Sequence, residues 1–441
     1  MRSLVAAVVL ALVAPASASA LKWSTPRGVS AIDRVCAAKH PTDERRCYAF
    51  ETAPRAAVNA RGAAVVAWTD ARGTVTVMSA DRPGHFGPVQ PFGRGYGPQT
   101  AIAADGAEML AWVAGTDTQP VIRFARRPAH GRFGTPRTFT IPNPPHRGIY
   151  DVRIAQQPDG SVVAAVETSG PVWGLKIARS GTPGKATVIG YGGLDRDSVR
   201  AAADGTLALC CVSSTPFSRY SALPQSIAVF RAGVGWTTLP VALPQFTSIE
   251  TVAATQRRIV VGVIAHYTSG DAGVLGVPGL VSTTSPTNTL GPVLSAFVDR
   301  PSRGLQPVVA IDGSGRNVLL YQDKTHSEAF MRTAPIWATV APANATALPA
   351  RELVYAGEGF EPLLRPLGKG TIAAWAGPHD RWHAGLELNG RFKSAPVPSG
   401  PGPSNVGRDF NYNHDMATAG GYAVLVWTTA DSRVAVSEIV G

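Results

Sequence analysis

The apolar residues of this chain fall into short runs bounded by Gly, Pro and Asp, and one arrangement of runs recurs from end to end. Each unit opens with a short apolar stretch, passes through a turn often reading Asp-Gly, and continues into a strongly apolar stretch ending in Trp or an equivalent. NARGAAVVAW (Asn59 to Trp68) and AADGAEMLAW (Ala103 to Trp112) are the first two. QPDGSVVAAV (Gln157 to Val166), AADGTLALCC (Ala202 to Cys211) and ATQRRIVVGV (Ala254 to Val263) follow. DGSGRNVLLY (Asp312 to Tyr321), LGKGTIAAW (Leu367 to Trp375) and TAGGYAVLVW (Thr418 to Trp427) complete the series. Runs of this length, rich in Val and aromatic residues, predict strands. The Asp-Gly and Gly-Gly pairs between the first two strands are expected to supply the positive φ angles that a tight hairpin requires.

The eight anchors span 359 residues in seven intervals, about 51 residues each. That period fits a four-stranded propeller blade. The second strand lacks strict alternation, as expected if it is buried on both faces between neighbouring blades. A fourth-strand signal also recurs in HFGPVQPF (His85 to Phe92), RFGTPRTF (Arg132 to Phe139), GWTTLPVA (Gly235 to Ala242) and RFKSAPVP (Arg391 to Pro398). The last repeat ends at Gly441 with room for three strands, while KWSTPRGV (Lys22 to Val29) matches the fourth-strand signal. The fold class expected is therefore all-β: a single propeller of about eight four-stranded blades. Residues 21–30 should close the ring by pairing beside 434–440, which removes exposed sheet edges. Seven blades is the alternative, because the interval from 263 to 321 is long.

Composition agrees with many short elements. Gly and Pro total 82 of 441 residues without a collagen period, and the 45% hydrophobic fraction excludes wholesale disorder. Residues 1–20 carry a positive start (Arg2), ten apolar residues (Leu4 to Val13) and the cleavage pattern Ala18-Ser19-Ala20, which reads as a secretory signal. Ten apolar residues are too few to span a bilayer, which takes roughly 20. The mature chain, 21–441, is expected to be a secreted or extracytoplasmic monomer with no transmembrane segment. Basic residues outnumber acidic ones by 41 to 30, and only seven of the 41 are lysine, an arginine bias typical of high-GC bacterial coding. Such a surface suits an acidic polysaccharide or cell-envelope polymer, or simply solubility. With no basic run and no basic-aromatic motif, nucleic acid is not an expected partner.

Cys36 and Cys47 enclose a polar stretch and are expected to form a local disulfide, closing an insertion at 31–54 and stabilising it by roughly 3 kcal/mol. Cys210 and Cys211 adjoin within an apolar strand, where neighbouring side chains point to opposite faces. Buried thiols are the plain reading, a bridge between the two the alternative.

The repeats resemble bacterial secreted β-propellers of the sialidase-like and WD40-like superfold. The resemblance lies in the pattern. Ser79-Ala80-Asp81-Arg82-Pro83-Gly84-His85-Phe86 and Ser180-Gly181-Thr182-Pro183-Gly184 stand where the sialidase Asp-box would, in degenerate form. The resemblance implies a fold that hosts enzymes, lectins and scaffolds alike.

In such a ring, second-to-third and interblade connections gather at one mouth. Here they include AHYTSGD (Ala265 to Asp271), YQDKTHSE (Tyr321 to Glu328), GPHDRWH (Gly377 to His383) and GRDFNYNHD (Gly407 to Asp415), whereas the opposite turns read as short and plain. The ligand-binding candidates are Arg153, Arg200, Glu250 and Asp415 at the starts of the innermost strands, with His266, Tyr267, Trp382 and His383 from the connections. Arginines there suit a carboxylate or sulfate, and a carboxylate pair suits a glycosidase acid and base. The same four inner residues also suit a buried ion-pair ring holding blades together. No nucleophile elbow, phosphate loop, zinc motif or dinucleotide fingerprint is present, so catalytic residues are unassigned and no metal or cofactor is expected. A binding propeller for a glycan, peptide, protein or envelope polymer is the first expectation. A glycoside hydrolase or polysaccharide lyase is the second, and a structural envelope protein without a small ligand the third.

Overall fold

The structure, a computed structural model, describes residues 22–25, 27–31, 53–70, 72–116, 119–141, 148–192, 199–212, 226–241, 243, 247–268, 274–284, 289–296, 307–323, 334–377, 381–398, 414–429 and 433–440. Cys36 and Cys47, the insertion they were expected to close, and the signal segment lie outside these residues. Among them every regular element is a strand, and no helix is long and apolar enough to cross a membrane.

The strands form eight antiparallel blades in chain order. Their innermost strands are Arg55–Val58, Tyr96–Ile102, Ile149–Gln156, Val199–Ala201, Thr247–Ala254, Val308–Ile311, the second half of Glu352–Leu367, and His414–Ala419. Each touches its successor, and the last touches the first, so the ring is closed. The long interval that raised seven as an alternative belongs to blade 5, whose fourth strand is split into Thr289–Leu290 and Leu294–Ser295, both paired with Val274–Thr284. Blades 6 and 7 share one strand, Glu352–Leu367: its first half ends blade 6, its second half begins blade 7, and a register shift between Phe360 and Leu363 marks the changeover.

The N-terminal segment completes blade 8. Lys22 and Trp23 pair with Val440 and Ile439, and Arg27–Ala31 runs beside Arg433 to Val436. Ser24 fastens the seam: its hydroxyl accepts the Glu438 N–H at 3.0 Å, and its carbonyl accepts the Ser437 hydroxyl at 2.7 Å.

The second strands show why the chain needs a ring. Ala64–Thr69 is buried at every position; Ala64, Val66 and Trp68 face blade 8, while Val65 and Ala67 face blade 2. The same division holds all round, and the described residues form eight apolar clusters, one at each blade-to-blade joint. Alternating side chains of a strand point to opposite faces, so a run apolar at every position needs a neighbour on each side.

The Asp-Gly turns work differently from the expectation. Only the glycines have positive φ (Gly106 at 92°, Gly160 at 79°, Gly205 at 84°), so these are not hairpins with both central residues left-handed. Asp105, Asp159 and Asp204 instead accept the N–H two residues on, at 2.9, 2.9 and 3.0 Å, and the Gly follows as the left-handed residue of a three-residue loop.

These turns also latch the blades. Asn59 Nδ2 donates to the Ala103 carbonyl at 2.9 Å, Gln157 Nε2 to Gly205 at 2.5 Å, and Ser314 Oγ to Lys369 at 3.0 Å. The Gln256 N–H donates to Asp204 at 2.7 Å, the Gly84 N–H to Glu438 at 2.6 Å, and the Gly368 N–H to the Gly420 carbonyl at 2.5 Å. Arg179 pairs with Asp105 at 3.1 Å, and Arg258 donates to Gly315 and Asn317. Every joint thus has a polar contact at this end. At joint 6–7 the approach is so close that a Cβ on Gly313 would lie 1.8 Å from the Gly368 carbonyl oxygen. The opposite turns are therefore not plain. Nor are they all short, since the third-to-fourth connections of blades 1, 2 and 3 cover 81–89, 128–136 and 178–186.

Cys210 is disulfide-bonded, which corrects the buried-thiol reading. It is fully buried at joint 4–5, where the ladder with Ser226–Arg231 shifts register between Leu209 and Val212.

Closure should be measurable at Trp23, which is 5% exposed and packs with Trp382, Trp427 and Ile439. Trp23→Ala is expected to cost about 3–5 kcal/mol in denaturant unfolding. A loss below about 1 kcal/mol would show that the ring does not depend on the N-terminal strand.

Candidate functional site

At the mouth, strand register sets the level of each inner side chain. Arg55, Gln99, Arg153 and Asp415 stand opposite Ala67, Ala111, Ala165 and Val426, in each case one residue before the anchor. Glu250 falls at a bulge beside this level, between Ile249 and Thr251. Arg200 does not share it. It stands opposite Ala208, two residues deeper, and Arg365 opposite Ile372 is its counterpart. The other six inner strands carry Ala at that deeper level: Ala57, Ala101, Ala155, Ala253, Ala310 and Ala417. Two arginines thus interrupt a ring of methyl groups.

Most of these groups hold neighbouring blades. Arg153 is 8% exposed, pairs with Asp151 at 2.6 Å, and donates to Gln99 of blade 2 at 3.4 Å. Asp415 joins three blades: it accepts the Ala56 N–H of blade 1 at 3.2 Å and faces Arg365 of blade 7 at 3.5 Å. Arg365 also donates to the Met416 carbonyl at 2.9 Å. Tyr96 Oη donates to the Ile149 carbonyl at 2.7 Å across joint 2–3. The Ser248 hydroxyl donates to Glu250 at 2.5 Å, and Arg200, half-buried, donates to the Val199 carbonyl at 3.2 Å. Glu250 and Asp415 belong to blades 5 and 8, three joints apart.

Several residues read as loop belong to strands. His266 and Tyr267 lie in Ile259–Thr268, opposite Gly276 and Leu275. Trp382 and His383 lie in Arg381–Leu388 of blade 7 and point to opposite faces. Trp382 is 4% exposed and meets Trp427 and His414 edge-on, so its ring belongs to the core of joint 7–8. His383 faces blade 6. Its Nε2 is 3.2 Å from Tyr355 Oη and its ring stacks on Trp375. Gly377 makes room, since a Cβ there would meet His383 Nε2 at 2.4 Å. Burial, then the charge of Arg381, holds the imidazole below its ordinary pKa. His383 and Tyr355 are both half-buried. Together they form an aromatic-polar group that keeps solvent access. Asp323, from another presumed loop, is buried and paired with Arg351 at 2.5 Å, whose guanidinium lies 3.9 Å over the Trp337 ring. The remaining mouth connections lie largely outside the described residues.

Arg55, Gln99, Arg365 and Tyr355 were not foreseen. A count of thirteen residues back from the first, second, third and fifth anchors finds Arg55, Gln99, Arg153 and Glu250. Arg365 and Tyr355 carry no such signal. Among the described residues no three His, Cys, Asp or Glu side chains gather as a metal would need.

A strongly perturbed carboxyl lies at the other end. Glu108, at joint 1–2, contacts Arg127 Nη1 at 2.7 Å and accepts the Ser79 hydroxyl at 2.5 Å. Arg127 reaches Asp81 at 2.7 Å, and His130 lies 3.4 Å from the same Asp81. Burial dominates and pushes Glu108 up to about 7, outweighing the pull of Ser79 and Arg127 toward the carboxylate.

The chain matches no protein family and no curated protein by sequence. In three dimensions it is similar to a protein of unknown function from Dyadobacter fermentans (12% identity, 78% of this chain and 93% of that one, TM-score 0.41). It is also similar to an ulvan lyase bound to a glucuronate–rhamnose sulfate unit (10%, 74% and 92%, TM-score 0.46). A fucose-binding complex of the Aleuria aurantia lectin is a third (10%, 81% and 99%, TM-score 0.39). None of the residues treated above is assigned a role by these similarities.

The Glu108 carboxyl yields a pH prediction. Its folded pKa lies above the ordinary 4.5, so its contribution to stability is full below pH 4.5 and is lost as pH rises through about 7. The difference amounts to about 3 kcal/mol. Glu108→Gln should flatten that part of the stability profile, measured by urea unfolding across pH 4.5–7.5. An unchanged profile would exclude Glu108 as its source.

Proposed function

We propose that this chain is a secreted binding propeller that recognises a glycan or cell-envelope polymer through the mouth of its ring. The observation that carries this is the inequality of the two ends. At one end the turns latch every joint. At the other, strand register sets Arg55, Gln99, Arg153 and Asp415 at one level of the inner strands, with Arg200 two residues deeper. Polar side chains gathered over a rigid apolar scaffold suit ligand recognition. Secretion rests on the N-terminal signal pattern alone.

Binding is favoured over hydrolysis by the placing of the carboxylates. A retaining glycosidase needs its carboxyls about 5 Å apart and an inverting one roughly 6.5–9.5 Å. Glu250 and Asp415 stand on inner strands of blades 5 and 8, which are not neighbours. Asp415 is further committed to Ala56 and Arg365. The half-buried Arg200 is the better ligand contact, because Arg153 is tied between blades.

Glycan-array binding by the mature protein tests the reading. Arg200→Ala is expected to weaken binding at least about tenfold, the loss of one charge-assisted contact, with little change in Tm. Arg153→Ala should lower Tm as well. Full binding in both variants removes these arginines from the site, and turnover of a bound glycan makes the protein an enzyme instead.

A further inference from the structure

We propose that the outer edge of the joint between blades 2 and 3 binds the carboxylate or sulfate groups of an acidic polysaccharide. This surface is distinct from the mouth and lies at the latched end. Three arginines meet at one turn of blade 3. Arg126 of blade 2 donates through Nη1 to the Arg179 carbonyl of blade 3. Arg137, on the fourth strand of blade 2 opposite Phe124, lies over the blade 3 turn, its Nη1 3.7 Å from where a Cβ on Gly181 would be. Arg179 is the third, its side chain 62% exposed. The Arg137 side chain is exposed and makes no hydrogen bond among the described residues; Arg126 is half-buried. Among the described residues the one carboxylate paired with the three is Asp105, on Arg179 at 3.1 Å, while nearby Asp159 is taken by Lys176 at 2.8 Å.

Equivalent joints do without arginine at the positions of Arg126 and Arg137. The third-to-fourth turns of blades 1, 2 and 3 share one hydrogen bond: Gly87 N–H to Ser79, Gly134 to Arg126, and Gly184 to Lys176. Register therefore makes Ser79, Arg126 and Lys176 equivalent. It likewise aligns Gln90 opposite Val77, Arg137 opposite Phe124 and Thr187 opposite Gly174. Joint 1–2 is built with Ser and Gln, and joint 3–4 with Lys and Thr. Only joint 2–3 of the three places an arginine at both positions.

Like charges brought together without a structural need repel one another, and an anion between them relieves that cost. Guanidinium forks match the planar geometry of carboxylate and the oxygens of sulfate. The cluster itself holds no aromatic ring, so it offers no platform for stacked bases, which favours a polysaccharide over a nucleic acid.

The test uses the mature chain with heparin, which carries sulfates and carboxylates, polygalacturonate, which carries carboxylates only, and neutral dextran. The variant Arg126→Ser/Arg137→Gln installs the residues that joint 1–2 already uses, so Tm should hold. Arg137→Gln alone serves if the double variant is unstable. The wild type is expected to bind at least one polyanion and not dextran. At about 0.1 M salt the double variant should bind at least about tenfold more weakly, and the single variant should be weakened in the same direction. Preference between heparin and polygalacturonate identifies sulfate or carboxylate as the group taken. No polyanion binding, equal affinity in the variants, or equally tight binding of duplex DNA would overturn the proposal. Arg153 and Arg200 are untouched, so failure here leaves the mouth reading standing, and the reverse.

Discussion

A single blade of this protein has no core of its own, because its second strand is apolar on both faces and needs a neighbour on each side. Ala64–Thr69 shows the constraint most plainly, dividing its side chains between blades 8 and 2. Repeated eight times, this requirement leaves two satisfactory outcomes, an endless stack or a closed ring. The ring is reached because the first and last parts of the chain share a blade. Trp23 then fills the same joint as Trp382 and Trp427, so an N-terminal residue completes a core otherwise built from the C-terminal third of the chain.

Once apolar burial sits at the joints, polar groups are driven to the two ends of the ring, where they take different forms. At the latched end, backbone carbonyls and turn side chains face each other across every joint, and close approach at Gly313 shows how little space remains. At the mouth the inner strands converge, so small residues fill the deeper level and longer polar ones the upper. Asp415 and Arg153 lock blades, which answers in part why arginine is so frequent here: some of the excess charge is internal mortar. The arginines at joint 2–3 are of another kind, since equivalent joints do without them.

The legibility of the chain followed the same division. Repeat period, blade number, two-sided burial and closure were all readable, because each depends on a pattern that recurs eight times and averages over local exceptions. Single positions were read less well. Arg200 was aligned with Arg153 by counting along irregular interblade segments, whereas the ladder sets it two residues deeper. His266, Tyr267, Trp382 and His383 looked like loop because they are polar or aromatic, yet they extend strands past the anchor. A pattern of polarity cannot tell a strand end at a ring mouth from a loop, since both meet solvent on one side.

What the chain order of residues determined by itself is thus the architecture: local strand patterns, turn glycines and a split terminal blade leave few ways to bury the apolar strands. Tertiary structure alone decided which charges are partners. Asp415 meets Arg365 and the Ala56 N–H, and Glu108 meets Arg127 and Ser79. Arg126 and Arg137 likewise reach one turn of blade 3, the turn that carries Arg179. The meetings that cross joints link residues 29 to 359 positions apart. Their geometry depends on strand register and ring closure, so no local reading of the sequence contains it.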